Sequence, residues 1–244
     1  MRGQKQGAEQ GLAYKHNAGD CLNVVPCPAL GLHIRSQEFI AVTKYRLGAK
    51  IYPAAGQCPA CGNHSDCLGD HAMCCSSNGE RISRHNILRD ALYAAAQSAA
   101  LGPTKEGRFL LPGTDRRPAD VPIPHWASGK DAALDVTVIN PLQVATVAEA
   151  ASSPGSALTV AYNRKITSAE DLCRRQGLAF IPLAAESLGA WHKVAVEEVR
   201  KLGAAVGRHS GQDESEATSH LFQRLSILLM KGNSNLFVNR FSDE

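Results

Sequence analysis

The sequence predicts an α/β fold of the α+β kind with a mixed sheet, ordered helix, three strands, helix, strand (αβββαβ). A small cysteine-rich module precedes this core and packing helices follow it. Three observations predict this. The apolar spacing alternates between helical and strand periods, and clusters of Gly, Pro, Asn and Asp mark the changes. Aromatic residues make up only 5% of the 244 residues while alanine is plentiful, a balance that favours a helix-rich mixed fold. Five of the eight cysteines fall between Cys58 and Cys75, which sets that segment apart as a module of its own.

Residues 1–28 lack clear periodicity and read as a tail or as the end of a preceding region. Residues 29–55 are a connecting segment built on a helix over 30–47, with Phe39, Ile40, Val42 and Tyr45 on one apolar face and Leu47-Gly48 as its end. The cysteine-rich module occupies 56–79 and the main domain 80–240. In that domain Ser83 is expected to cap a helix running to Ala100, where Ile87, Leu88, Leu92 and Ala95 recur at helical spacing before Gly102-Pro103 breaks it. Short strands are expected over 108–111, 118–123 and 133–139, separated by Pro112-Gly113-Thr114-Asp115 and by Ala127-Ser128-Gly129-Lys130. Pro154-Gly155-Ser156 introduces a second helix over 157–176, Gly177 ends it, and a strand follows over 178–184. Ser187 is expected to cap a third helix reaching Gly203, and a fourth spans 213–231.

A formal charge of +3 is too small to diagnose a nucleic-acid binder, but its distribution is uneven. Arg81, Arg84, Arg89, Lys105, Arg108, Arg116 and Arg117 outnumber the acids between them, which makes either a basic face or an ordinary solvated surface. No signal-peptide apolar core and no membrane-length segment occurs, so the chain is expected to be intracellular, away from membranes, with reduced cysteines.

The residues that carry chemistry lie in three places. Asp120 and Asp135 each lead a valine-rich strand, and the two strands are expected to pair. Asp135 heads what otherwise reads as a buried strand, where an acid is costly unless a charge offsets it. Two carboxylates meeting across strands can hold a hard cation such as Mg²⁺ against a phosphate. The plainer alternative is a pair of strand-end acids bound to neighbouring arginines. Alternation puts Thr137 on the Asp135 face.

On the second helix, Leu158, Ala161, Tyr162, Ile166, Ala169, Leu172 and Cys173 form one apolar stripe with Lys165 in its middle. A lysine there either snorkels to water along apolar surface or reaches the sheet where the carboxylates sit. In the cysteine module, Cys58-Pro-Ala-Cys61 presents two thiolates from one turn. With His71 and Cys75 they make a set for structural Zn²⁺, and so short a segment has little core of its own to fold around. Cys67, Cys74 and His64 are further candidates, and the bland reading is reduced thiols beneath a loop.

Together, Arg117-Pro118-Ala119-Asp120, Asp135-Val136-Thr137, a Cys-x-x-Cys…His…Cys knuckle and the Arg84-His85-Asn86 helix carry a resemblance. The chain resembles the restriction-endonuclease-like PD-(D/E)XK domain that follows reverse transcriptase in non-LTR retrotransposon proteins. Gly69-Asp70-His71-Ala72, Pro182-Leu183 and Glu186-Ser187-Leu188-Gly189 fit the same pattern, and the likeness covers residues 28–240. It implies a nuclear, Mg²⁺-dependent DNA endonuclease with Asp120 and Asp135 as metal-binding acids and Lys165 as the catalytic cation. Arg84, His85, Arg116 and Arg117 would face nucleic acid, target DNA and element RNA being the partners, and Glu80 is a looser neighbour of the site. The family's lysine stands two residues after the second acid, where this chain has Thr137, and Lys130 is a less well placed substitute. A catalytically silent nucleic-acid-binding module is the competing expectation.

Overall fold

The computed structural model describes residues 17–106 and 119–240. From the N-terminal side come α1 (Ser36–Arg46), the two-residue strands β1 (Gly56–Gln57) and β2 (His64–Ser65), the short α2 (Asp70–Cys74) and the long α3 (Glu80–Ser98). Then follow β3 (Val121–Ala127), β4 (Lys130–Ile139), α4 (Val147–Ser152), α5 (Ser156–Arg175), β5 (Ala179–Glu186), α6 (Lys193–Ser210) and α7 (Glu214–Val238). The result is a mixed α/β fold with a small mixed sheet and several helices, as the periodicity predicts.

The sheet runs β3-β4-β5, with β4 central. β3 and β4 are antiparallel in the register Val121↔Leu134, whereas β4 and β5 are parallel with Asp135↔Pro182. Parallel neighbours need a crossover, and α5 supplies it. Strand alternation divides the side chains of β4. Leu134, Val136 and Val138 join Leu88, Leu92, Leu183, Val199, Leu202, Leu225 and Leu229 in the main core, beneath α3, α6 and α7. The opposite face meets α5, where Leu158, Ala161 and Tyr162 pack with Ile139 and Ala184. Asp135 and Thr137 share this second face by the same period of two.

Two glycines set how closely α7 approaches its neighbours. A Cβ at Gly203 would lie 2.6 Å from the Thr218 Cα, and one at Gly232 would lie 2.6 Å from the Arg84 Cγ. A second apolar cluster joins α1, the cysteine module and the end of α7 through Val42, Tyr45, Ile51, Tyr52, Met73, Leu236 and Phe237. No helix among the described residues is long and apolar enough to cross a membrane.

The strand expected over 108–111 lies outside the described residues; the described core sheet has three strands, all longer than or shifted from the predicted spans. Other expectations need correction. Helix α3 starts at Glu80 after Gly79 at φ 71°, so Ser83 is inside the helix and not its cap. The third predicted helix begins at Lys193, not at Ser187. Residues 187–191 are spent on a turn in which Glu186 N–H donates to Ala190 O at 2.8 Å and Trp191 bridges back to Ala185. The first helix begins at Ser36, where the Glu38 carboxylate accepts from both the backbone N–H and the guanidinium of Arg35. Of its expected apolar face Val42 and Tyr45 are buried, while Phe39 and Ile40 are 45% and 51% exposed.

Candidate active site and metal centre

By register Asp120 stands one residue before Val121 and therefore opposite Asp135. Its backbone N–H donates to Leu134 O at 2.9 Å, and its Oδ2 accepts from Val136 N–H at 2.7 Å. The carboxylate thus continues the ladder where β3 has not yet begun. Its Oδ1 lies 3.1 Å from His85 Nε2, carried by α3. Asp135 is only 8% exposed, and Lys165 of α5 places Nζ 2.8 Å from its Oδ2. Burial raises the Asp135 pKa and the nearby Asp120 charge raises it further, while Lys165 and His85 oppose them; the net direction is upward. The same packing pushes the buried Cys173 thiol up to about 11, through desolvation first and the Asp135 charge second.

The lysine in the apolar stripe therefore turns inward. It covers apolar surface with its stem, as a snorkelling lysine would, but its ammonium ends on a buried carboxylate. Thr137 is half-buried on the same face. Lys130 is exposed at the far end of β4, paired in register with Ala127, five residues from Asp135 and hence about 16 Å away along an extended strand.

Arg84 is 3% exposed, with Nη1 donating to Asn233 Oδ1 at 2.8 Å and lying 2.9 Å from Met73 Sδ. Burial lowers its pKa to about 10. It is thus committed to the core and offers no surface cation to a phosphate, contrary to the expected nucleic-acid contact. His85 is partly exposed and in the site. Arg116 and Arg117 lie outside the described residues. Arg89, one turn beyond His85, is also buried. It pairs with Asp90 at 3.0 Å and with Glu106, whose backbone N–H donates to Asp120 O at 2.9 Å. Sequence reading missed this brace, because the loop that brings Glu106 back to Asp120 has no periodic signal.

The second constellation is local. The ligand atoms of Cys58, Cys61, His71 and Cys75 all lie within 4.8 Å of one another, and Cys61 Sγ is 3.3 Å from His71 Nε2. A tetrahedral zinc with bonds of about 2.3 Å to sulfur sets its donors about 3.8 Å apart, so this Cys₃His group could hold a metal ion such as zinc. With an ion on all four donors no position would stay open, the pattern of structural zinc sites. The β1–β2 hairpin builds the first half: Cys58 N–H donates to Asn63 O and Gly62 N–H returns to Cys58 O, both at 2.8 Å. Asp66 builds the second by accepting from the N–H groups of Leu68, Asp70 and His71, which starts α2 and orients His71. An Asp ahead of a short turn is the sequence signal for such a cap.

The thiols are electrostatically unlike. Burial pushes Cys58 up, but the N–H groups of Ala60 and Cys61, with His71 and Arg240, outweigh it and bring the pKa to about 6. Cys75 is likewise lowered against its burial by Arg240 and Ser77. Cys61 is drawn down by the Asn63 N–H, yet burial and the neighbouring Cys58 and Cys75 leave it raised. Cys67, Cys74 and His64 stay outside this group. The Cys67 carbonyl accepts from Ile51 and Tyr52, and Cys74 Sγ accepts from Asn140 Nδ2 at 3.5 Å.

A buried polar chain runs between the two constellations. Asn140 Oδ1, just past β4, accepts from Tyr45 at 3.1 Å and from Ser187 at 3.2 Å, while Asn233 of α7 donates to Ser187 O at 2.6 Å and accepts from Arg84. Compared with known proteins, the chain matches no family model and no curated protein sequence.

Proposed function

We propose that the chain is a metal-dependent phosphodiesterase domain of the restriction-endonuclease-like kind, hydrolysing DNA, with Asp120, Asp135, Lys165 and His85 as its working groups. One observation carries this reading. A lysine delivered from the crossover helix lies 2.8 Å from a buried strand carboxylate, and a second carboxylate stands opposite in the register. A purely structural ion pair explains the contact but not the second acid with its own histidine.

The donor set suits a hard cation. The Asp120 charge raises the Asp135 pKa, a repulsion that a divalent ion relieves, and Mg²⁺ is commonly held by one or two carboxylates together with substrate phosphates. When bound between Asp120 and Asp135, such an ion would polarise the phosphodiester and lower the pKa of a water. The chain's own groups do the rest. Lys165 Nζ, anchored on Asp135, keeps further N–H donors for a phosphate oxygen whose charge grows in the transition state. Asp120, held by Val136 N–H on one oxygen, orients the His85 ring through the other, and the partly exposed ring can accept or return a proton. The Arg89–Glu106 brace holds the loop against Asp120.

The test is nicking of supercoiled plasmid DNA in Mg²⁺ by the wild type, Asp135→Asn, Lys165→Met and His85→Ala. Loss of about 10²–10³-fold is expected for Lys165→Met, the size typical of removing a transition-state charge partner. Activity equal in the wild type and Asp135→Asn would sink the proposal. A catalytically silent nucleic-acid-binding module is the second reading. It is favoured by Thr137 at the usual lysine position and by the fact that each carboxylate already has a cationic or histidine partner. DNA retention on a filter without nicking, unaltered by Asp135→Asn, would select it.

A further inference from the structure

Arg240 immediately follows the last turns of α7, and its side chain is only 1% exposed. A buried guanidinium is costly unless anionic partners meet it. Glu80 meets it with Oε2 at 2.8 Å from Nη2, Nη1 donates to Leu236 O, the Cys58 and Cys75 sulfurs stand beside the guanidinium, and its buried Nε has no hydrogen-bond partner. Glu80 is itself buried, and Asn239 Nδ2 donates to its other oxygen at 3.3 Å. Tyr52 closes the corner by donating to Phe237 O at 3.1 Å.

The charge balance gives this arrangement a purpose. A divalent ion with three thiolates and one neutral imidazole carries a net negative charge, and a buried site of that sign needs a cation nearby. Arg240 is a fully buried cation beside two of the three sulfurs, with one acid partner and an Nε that has no acceptor of its own. That acid partner, Glu80, is the first residue of α3, and His85 lies five residues further along the same rigid helix. The cysteine module grips α3 a second time where Arg84 meets Met73 of α2.

We propose that Arg240 is the outer-sphere cation of the Cys58–Cys61–His71–Cys75 metal site, and that its pairing with Glu80 makes metal occupancy position the first two turns of α3, from which His85 reaches Asp120. The proposal rests on the Cys₃His group being a metal site and is independent of the nuclease reading. Arg240 is a positioning residue. It touches no metal and acts through the sulfurs.

The experiment uses the full chain loaded with Zn²⁺ or Co²⁺, with affinity read by competition against a chromophoric chelator. Arg240→Gln is expected to weaken binding by about 10–100-fold, the usual effect of losing an outer-shell partner, while the sulfur-to-Co²⁺ absorption of a tetrahedral site persists. Arg240→Lys, which keeps the charge but not the fork, should recover part of the loss. Glu80→Gln, a milder change at the same corner, should move affinity in the same direction by less. At saturating Zn²⁺, amide exchange over residues 80–85 should accelerate in Arg240→Gln while α6 stays protected. Unchanged affinity in Arg240→Gln and Glu80→Gln overturns the outer-sphere role, and unchanged exchange over 80–85 overturns the coupling to α3. A wild-type chain that takes up no metal removes the metal site and this inference together, whereas wild-type binding with an indifferent Arg240 removes this inference alone.

Discussion

The two constellations are built in opposite ways. The four donors of the cysteine module come from one segment, Cys58 to Cys75, and a hairpin with a capped short helix brings them together. The acidic site draws His85 from α3, Asp120 from the entry to β3, Asp135 from β4 and Lys165 from α5, and only the packed sheet makes them neighbours. Yet both meet the same requirement. A buried polar group is met by one cation from a distant region, Lys165 on Asp135 and Arg240 beside Cys58 and Cys75. Local assembly thus supplies ligands cheaply, while charge balance is a tertiary matter in both places.

The largest expected effect tests whether the local site folds by its metal. Small zinc modules derive about 10–16 kcal/mol of apparent binding free energy from the ion, so Cys75→Ser or chelation should release the metal and open residues 56–79 to protease. Because Ile51, Tyr52 and Met73 share a core with α1 and the end of α7, the loss should also lower the thermal midpoint of the whole chain. Equal melting of stripped and loaded protein would break the contrast, since the module would then stand on its packing alone.

Next comes the distant pair. Lys165→Met leaves a buried carboxylate without its cation and should cost about 3–5 kcal/mol in urea unfolding, most of it recovered by adding Asp135→Leu. Additive losses in the double variant would mean the two do not stabilise each other. A smaller effect is expected in the buried polar chain. Asn233→Ala leaves both Arg84 and the Ser187 carbonyl short of a partner and should cost about 1–3 kcal/mol. Asp135 should also give stability a pH signature. Its folded pKa is raised, so the folded state holds the proton more tightly than the unfolded chain, and stability falls as pH rises from the ordinary carboxylate value of about 4 through the raised folded one. Asp135→Asn should flatten that part of the stability profile; an unchanged slope would place its origin elsewhere. The smallest effect belongs to the exposed side of α1, where Phe39→Ser should stay within about 0.5 kcal/mol.

Much of the fold was legible because β4, α5 and β5 carry strong periods bounded by Gly and Pro, and the inward lysine stood out as a break in an otherwise apolar stripe. The errors fall where tertiary contacts override local signals. Ser187 looks like a helix cap, but its hydroxyl is taken by Asn140, 47 residues earlier, and the helix waits until Lys193. Arg84 looks like a surface cation beside His85, yet the glycine at 232 lets α7 press against its stem and Asn233 captures its guanidinium. Arg240 carries no local sign of its partners, which lie at Cys58, Cys75 and Glu80.

By itself the sequence determined the alternation of elements, the thiol and imidazole donors at metal spacing, the two acids that face each other at the β3–β4 pairing and the charged residue on the packing face of α5. These follow from short-range periodicity and from residue chemistry. Tertiary structure decided which cation meets which anion: that Lys165 turns in to Asp135, that His85 rather than Arg84 reaches the site, and that Arg240 pairs with Glu80. The reason is physical. Desolvating a charge is costly, so each buried charge takes the nearest opposite partner the packing provides, and nearness in a folded chain is not nearness in sequence.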